Sequence, residues 1–182
     1  MGESFPIDDT PDGVNLIKAR RSIRRYEHRP VPDEVISQLL EAAMAAPSAN
    51  NERPWHFVLV TRRDLLDQLA ARHPYARMLT DAPLCIVPCG DLDLVPEGPS
   101  GGFWVQDVSA STENLLLAAT ALGLGTVWCG VYPRPERVDM VREILSIPTR
   151  IVPLCLIPVG FPAEHKPPRT QYDPERIHRE VW

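Results

Sequence analysis

The sequence predicts a single layered domain of the α/β or α+β class. First, its 182 residues, 44% hydrophobic and 24% charged, have the length and balance of one globular domain with its own core. Second, segments with helical periodicity alternate with short apolar segments typical of strands. Third, the 20 prolines are scattered between these segments, with no repeat and no linker tract.

The first half of the chain shows the patterns of three helices and two strands. Apolar residues recur at helical spacing between Pro32 and Pro47, and the two prolines suit the start and the end of a helix. Short β-branched runs predict buried strands, and a capping-box-like segment at Thr61 predicts the start of a helix between them. The predicted elements are helices over 14–20, 32–46 and 62–72, and strands over 56–60 and 84–89.

The second half begins with a Gly- and Pro-rich segment, 91–102, which predicts a mobile loop. The next helix, over 103–122, is apolar nearly all round towards its end, which is typical of a segment enclosed in a core or at a subunit contact. Gly123 suits its end. The patterns then predict a strand over 126–129, an amphipathic helix over 135–145, a strand over 151–159 and a polar, proline-rich tail.

Composition and charge exclude several classes of protein. The net charge of −5 argues against binding to a nucleic-acid backbone. No apolar run approaches the roughly 20 residues that cross a bilayer, so no membrane partner is expected. Residues 1–13 are polar and acidic and lack the pattern of a signal peptide. We therefore expect a flexible N-terminal arm over 1–13 on a cytoplasmic protein.

The four cysteines predict buried free thiols in a reducing compartment and no metal site. No pair has C-x-x-C spacing, and each lies in an apolar stretch: Cys85, Cys89, Cys129 and Cys155. Positive charge, by contrast, is concentrated between residues 18 and 29. A local basic cluster on an acidic protein favours a small anionic ligand over a polyanion.

Two candidate motifs lie in the first third of the chain. The run RRSIRRY, residues 20–26, places guanidinium groups and a hydroxyl at the end of a short helix, where they could surround a phosphate. The run APSANNERPW, residues 46–55, joins a helix to a strand and could offer Ser48 and an asparagine amide to a heterocycle. Read alone, the first could be a solvated basic turn and the second a capped turn.

Two further motifs lie in the second half. The run GLGTVWCGVY, residues 123–132, is neither a dinucleotide fingerprint nor a phosphate-binding loop. It does offer open backbone beside Gly130, which a planar ring could approach closely. The run HKPPR, residues 165–169, is a second cationic group that could contact a phosphate, and a solvated tail is its alternative.

In type, order and spacing, the four motifs resemble those of the nitroreductase family, from about Ile17 to Trp182. The resemblance implies an α+β, three-layer domain with a central mixed sheet flanked by helices. It also implies an intertwined homodimer, in which residues 14–182 form one domain and the C-terminal tail wraps the partner subunit. Each FMN site then lies at the interface and draws residues from both chains.

The resemblance implies a place at the FMN for each matching residue. Arg24 is expected near the pyrimidine edge of the ring, where reduction places negative charge. The expected contacts of the phosphate and the ribityl chain are Arg20, Arg21, Ser22, Lys166 and Arg169. The expected contacts of the ring are Ser48, Asn51, Trp128, Cys129 and Gly130, with a backbone N–H of the 128–130 loop directed toward flavin N5.

Two positions depart from the pattern of the family. Arg53 stands where many relatives have glutamine, and its role stays open. Cys129 stands where some relatives have an acidic residue. We expect Cys129 to serve as a packing or backbone contact, since no candidate general base lies beside it in the sequence.

The implied activity is ping-pong electron transfer from NADH or NADPH, through FMN, to small acceptors such as nitroaromatics, quinones or flavins. One alternative is a specialised member of the superfamily: a reductive dehalogenase, an enone reductase or a flavin-fragmenting enzyme. A second alternative is a nonenzymatic flavin-binding module. An esterase or thiol enzyme is disfavoured, because the sequence contains no G-x-S-x-G.

Overall fold

The computed structural model describes residues 12–182. Within that range the helices are α1 (Asp12–Ala19), α2 (Asp33–Met44), α3 (Arg63–Arg72), α4 (Trp104–Ala121) and α5 (Pro135–Leu145). The strands are β1 (Trp55–Val60), β2 (Leu84–Asp91), β3 (Gly125–Thr126), β4 (Cys129–Gly130), β5 (Ile151–Pro153) and β6 (Cys155–Gly160). The predicted arm over 1–13 lies outside the described residues except for its last two, which begin α1.

All five predicted helices are confirmed, with bounds that differ by no more than a few residues. In α2, Pro32 is the N-cap, acidic residues occupy the first turn, and the buried face consists of Ile36, Leu39 and Ala43. These three residues have the i, i+3, i+7 spacing of one helix face, which is why periodicity found the element. The bounds of α5 agree with the prediction, since Pro135 suits the first turn of a helix.

The central sheet has the order β1-β2-β6-β3, with β5 also paired to β2 and β4 to β6. These strands pair antiparallel, and an isolated bridge between Ser22 and Thr126 adds a parallel contact. That bridge brings the arginine-rich segment after α1 onto the edge of the sheet at β3. The sheet therefore positions the first motif next to the third.

The prediction of one strand over 151–159 is wrong at its middle, where a β-bulge separates β5 from β6. Ile157 pairs with Ile86, and Pro153 pairs with Cys89. The five residues 153–157 therefore lie opposite the four residues 86–89 of β2, which is one extra residue. The carbonyl of Leu154, in the bulge, accepts hydrogen bonds from the backbone N–H groups of residues 131 and 132. The bulge thus anchors the chain just after β4.

The prediction of one strand over 126–129 is also wrong, because the segment forms the two short strands β3 and β4. Thr126 pairs with Val159 and Cys129 with Leu156. By this register Val127 stands opposite Pro158, which has no N–H to donate to the ladder. Val127 and Trp128 therefore lie between the two strands as unpaired backbone.

Helices cover both faces of the sheet and complete the three-layer α+β architecture. Helix α4 packs against α1, α2, β1 and β2, whereas α3 packs against α5 and α5 against β5. The successive residues of β2 from Leu84 to Gly90 are all buried, and because neighbouring side chains point to opposite faces, both faces are covered.

The predicted loop over 91–102 and the predicted tail after the last strand carry little regular structure. Asp91 ends β2, and residues 92–98 form turns that run into a short 3-10 helix, Pro99–Phe103. Beyond β6 the chain is extended, with a bridge between Pro162 and Tyr26 and a 3-10 helix at Pro174–Arg176. None of the helices within residues 12–182 has both the length and the apolar character of a membrane span.

Candidate functional site

The arginine-rich segment after α1 is fixed to the sheet by its apolar residues. The N–H of Ile23 donates to the carbonyl of Thr126 (2.9 Å), and the buried Tyr26 hydroxyl donates to the carbonyl of Ile23 (2.6 Å). A Cβ on Gly125 would lie 2.6 Å from Cγ2 of Ile23, so this close approach requires a glycine. The intervening Arg24 points outward and is exposed.

Arg21 and Lys166 meet at a cleft of about 180 Å³, which we call the anion cleft. The ammonium group of Lys166 donates to the carbonyl of Ser22 (2.6 Å), and Arg21 donates through Nη1 to the carbonyl of Pro167. These contacts join the first motif to the basic tail. The cleft is lined by Ala19, Arg21, Ile23, Thr120, Gly123, Leu124, Pro162, Glu164, His165 and Lys166.

Glu164 organises this junction and was missed by the sequence analysis. Its carboxylate accepts the backbone N–H of Arg24 (2.5 Å) and pairs with the ammonium group of Lys166 (3.2 Å). The hydrogen bond from the Arg24 backbone, followed by Lys166, holds the pKa of Glu164 below its usual value. Glu164 thus offsets one of the two cationic charges, and Arg21 and Lys166 together keep a net positive charge in the cleft that can attract an anion.

Arg20 and Arg169 lie outside the lining of the anion cleft and make other contacts within the chain. Arg20 forms an ion pair with Glu113 on α4 (Nε to Oε1, 3.3 Å). Arg169 is exposed, and its backbone N–H donates to the carbonyl of Lys18 (3.3 Å). Neither side chain is among the residues that line the anion cleft.

Arg24 and the third motif line a second cleft, of about 270 Å³, which we call the ring cleft: Arg24, Tyr75, Val127, Trp128, Cys129 and Gly130. Trp128 is 37% exposed, and a Cβ on Gly130 would meet no atom of the described residues within 4 Å. Aromatic surface, open backbone and one cation together suit a planar aromatic ring. Tyr75 was not among the predicted site residues.

Cys129 is a neutral thiol that contributes packing and one hydrogen bond. Its Sγ donates to the carbonyl of Tyr75 (3.2 Å). Burial raises the pKa of Cys129 to about 11, with Arg24 acting in the opposite direction. A thiol with so high a pKa is mostly protonated near neutral pH and is a poor nucleophile.

Ser48 lines a third cleft, of about 300 Å³, formed with the start of α4: Pro47, Ser48, Ala49, Phe103, Gln106, Asp107 and Ala110. Asp107 holds this loop through Oδ1, which accepts the backbone N–H of Ala49 (3.0 Å). Among residues 12–182, Oδ2 of Asp107 has no hydrogen-bond partner, although the residue is buried, at 6% exposed. Asp107 was also missed by the sequence analysis.

The turn after Ser48 is held in an unusual backbone conformation. Asn50, Asn51 and Arg53 have φ angles of 50°, 58° and 50°, in the left-handed region that asparagine tolerates better than most residues. The Ser48 hydroxyl accepts the backbone N–H of Arg53 (2.9 Å), and the Arg53 guanidinium donates to the carbonyl of Asn51 (3.4 Å). Arg53 therefore folds back on its own turn.

The predicted site residues do not meet in a single pocket of one chain. Within residues 12–182, the anion cleft, the ring cleft and the Ser48 cleft share no lining residue. The first two are adjacent, since the chain passes from Ile23 in one to Arg24 in the other and Glu164 contacts both sides. The Ser48 cleft is a separate feature at the start of α4.

Comparisons with known proteins identify the family of this chain. The model of the nitroreductase family matches residues 17–73 and 68–161. A protein of Methanothermobacter thermautotrophicus, provisionally named NADH dehydrogenase/NAD(P)H nitroreductase, is 49% identical over 173 residues, which are 94% of this chain and 88% of that protein.

Two solved structures share the fold along nearly the whole chain. One, from Parabacteroides distasonis and with the same provisional name, has a TM-score of 0.90 and 43% identity over 95% of this chain and 100% of its own. The other, from Desulfovibrio desulfuricans, is provisionally named a nitroreductase and was solved in complex with FMN. It has a TM-score of 0.80 and 30% identity over 95% of this chain and 99% of its own. The chain belongs to the nitroreductase family.

Proposed function

We propose that this protein is an FMN-dependent oxidoreductase that transfers electrons from NADH or NADPH to small acceptors. The observation that carries the proposal is the adjacency of the anion cleft and the ring cleft on one edge of the sheet. FMN itself joins a phosphate to a planar ring. The similar structure from Desulfovibrio desulfuricans, solved with FMN, supports the same cofactor.

The residues present fit the chemistry of FMN. Arg21 and Lys166 would bind the phosphate, since guanidinium and ammonium groups form charge-assisted hydrogen bonds with phosphate oxygens. Arg24, Trp128 and Gly130 would hold the ring, with open backbone where a flat group can approach. Ser22 is fixed between the two clefts through its carbonyl, which accepts from Lys166.

FMN, when bound, supplies the ring that accepts and releases electrons. Arg24 would place a positive charge beside that ring and so stabilise its negative, reduced form. Trp128 and Tyr75 would shield one side of the ring from water. Cys129, as a protonated thiol, would take no part in acid–base chemistry.

We also propose that the working unit is a homodimer, with Ser48 and Asn51 of each chain completing the site of the partner. Two observations support the dimer. The Ser48 cleft is separate from the other two clefts in a single chain. Large apolar side chains are exposed on α1, at the ends of α4 and in the tail, among them Ile17, Phe103, Leu122 and Trp182. The exposed tail fits the expectation that it wraps the partner.

Nitroaromatics, quinones and free flavins are the acceptors we propose. The ring cleft is bordered by Trp128 and Tyr75, which suits flat aromatic compounds. The four free cysteines, all buried, fit the expected cytoplasmic location, where thiols stay reduced.

Steady-state oxidation of NADH and NADPH tests the proposal, with menadione and a nitrobenzoate as separate acceptors. We expect turnover that requires FMN and an acceptor, and parallel double-reciprocal lines, because donor and acceptor use the same site in turn. A protein that binds FMN yet oxidises neither coenzyme with any acceptor would be a flavin-binding module and would contradict the proposal.

A further inference from the structure

The carbonyl of Gly130, in the ring cleft, is held by two donors from outside the cleft. Nε2 of His73 lies 3.0 Å from the Gly130 oxygen, and Nη1 of Arg137 donates to the same oxygen at 3.0 Å. His73 follows α3 and Arg137 lies in α5, so two separate elements converge on one peptide group. A carbonyl with both lone pairs occupied has little freedom to rotate.

The hydrogen bonds of His73 define its tautomer. Its Nδ1 accepts the backbone N–H of Tyr75 (3.2 Å), so Nε2 carries the hydrogen that is donated to Gly130. The side chain is buried, with the residue 2% exposed. Neutral His73 therefore bridges the backbones of Tyr75 and Gly130, two residues that line the ring cleft from different segments.

Further contacts tie the same two segments together. The thiol of Cys129 donates to the carbonyl of Tyr75 (3.2 Å), and the Arg137 guanidinium lies over the Tyr75 ring, 5.3 Å from its centre. Both polar groups of the Tyr75 backbone are thus engaged. We call this set of contacts among His73, Tyr75, Cys129, Gly130 and Arg137 the clasp.

We propose that His73 is a positioning residue, which holds Tyr75 and Gly130 in the geometry that receives the flavin ring only while its imidazole is neutral. The proposal rests on the proposed function, because it assumes that the ring cleft binds the flavin. His73 itself does not line the cleft. Its effect on the flavin therefore passes through the backbone of the two residues that it joins.

Protonation of His73 would break the clasp by removing its hydrogen bond with the backbone of Tyr75. A protonated imidazole carries a hydrogen on Nδ1, which would face the N–H of Tyr75 and lose that hydrogen bond. The charged or titratable groups that face it are Arg137 from α5, Tyr75 from its own loop and Cys129 from β4. Of these, Arg137 carries a guanidinium cation, which repels an imidazolium.

The sign of the pH dependence follows from these surroundings. Burial, and then the charge of Arg137, lower the pKa of His73 below its usual 6.5, although its hydrogen bond to Gly130 acts in the opposite direction. The folded protein thus binds this proton less tightly than the unfolded chain does. The contribution of neutral His73 is complete above about pH 6.5 and is lost as the pH falls through the folded-state pKa.

Two isosteric variants test the proposal through the affinity of the apo-protein for FMN, measured by quenching of flavin fluorescence between pH 5 and pH 8. His73→Gln keeps a donor for Gly130, and His73→Asn keeps an acceptor for Tyr75. We expect each to weaken FMN binding by about two- to tenfold at neutral pH, the effect of one lost hydrogen bond. We expect the wild-type protein to lose FMN affinity at acidic pH by more than titration of the FMN phosphate explains. Both variants should lack this additional loss.

Arg137→Met tests the role of the His73 charge through the pH at which FMN affinity is lost. A purely structural role of His73 would leave that pH unchanged. Removal of this charge should raise the pKa of His73 and shift the acidic loss of FMN affinity to higher pH. Arg134→Met, on an exposed residue just before α5, is the matched control and should leave the profile unchanged. Arg137→Met also keeps the test decisive if both His73 variants fail to fold.

Wild-type affinity and pH profile in all three clasp variants would overturn the inference while leaving the proposed function intact. An unshifted profile in Arg137→Met would also contradict the role of neutral His73. A wild-type protein that binds no FMN at any pH would instead contradict the proposed function, and this inference with it.

Discussion

Arg24 is the residue whose side chain sets the charge of the ring cleft. We expect Arg24→Met to weaken FMN binding by about ten- to a hundredfold, because one charge-assisted hydrogen bond contributes roughly 1.5–3 kcal/mol. The flavin that remains bound should have a more negative reduction potential, since the cation that stabilises its reduced form is gone. Equilibrium dialysis with FMN and a dye-coupled potential measurement check the two effects.

The neighbouring Arg25 offers the control for Arg24. It is also exposed, and it does not line either the anion cleft or the ring cleft. Arg25→Met should keep wild-type affinity and potential. Equal losses in the two variants would mean that the general positive charge of the segment matters and that Arg24 has no specific place at the ring.

The residues that the sequence predicted differ from those it missed in one physical respect. Arg24, Trp128 and Gly130 stand in short motifs, where neighbouring residue types carry the signal. Asp107 contacts the backbone of Ala49, 58 residues away along the chain, and Glu164 contacts the backbone of Arg24, 140 residues away. No local spacing reports such a contact, because only the folded sheet and α4 bring the partners together.

Substitution of one glycine in β3 and of one in β4 distinguishes a residue needed for the fold from a residue needed for the site. Gly130→Ala adds a methyl group into open space, whereas Gly125→Ala places one against Ile23. We expect Gly130→Ala to keep the melting temperature and to lose FMN affinity through steric exclusion from the ring cleft. Gly125→Ala should lower the melting temperature by crowding the segment that carries Arg24.

Differential scanning fluorimetry of the apo-proteins and FMN titration separate the two effects. If Gly130→Ala bound FMN as the wild type does, the close approach of a ring to this backbone would be refuted. An unchanged melting temperature for Gly125→Ala would contradict the packing of Ile23 against β3.

The contact between α4 and the Ser48 loop depends on Asp107. Asp107→Ala leaves the N–H of Ala49 without its acceptor and should destabilise the protein by about 1–3 kcal/mol. Asp107→Asn keeps an acceptor for this N–H, so it should be more stable than Asp107→Ala. Urea unfolding of the two variants gives the order, and an Asp107→Ala protein as stable as Asp107→Asn would contradict this role.

The elements show which parts of the fold could be predicted. Helices α2 and α5 were found because their periodicity and their terminal prolines agree. The division of the last strand into β5 and β6 was not, since the bulge at Leu154 depends on register against β2. The division of β3 from β4 similarly depends on Pro158, which is a partner across the sheet and not a neighbour in sequence.

The shared site predicted for the whole molecule can be tested by mixing chains. Arg24→Met removes a group from one side of the proposed site, and Asn51→Asp changes a group supplied by the partner. Random pairing of the two variants in a symmetric dimer should restore about a quarter of the high-affinity FMN sites, because each mixed dimer has one intact site. FMN titration of the co-expressed chains, against each variant alone, measures this recovery, and none would place both residues in the site of one chain.

FMN titration of the purified apo-protein tests the central claim most directly. The account predicts saturable binding of about one FMN per chain, as expected of a symmetric dimer with two equivalent sites. It also predicts quenching of the fluorescence of Trp128, which lines the ring cleft. A protein that stays colourless and leaves the flavin free at saturating FMN would contradict the assignment of the anion cleft and the ring cleft.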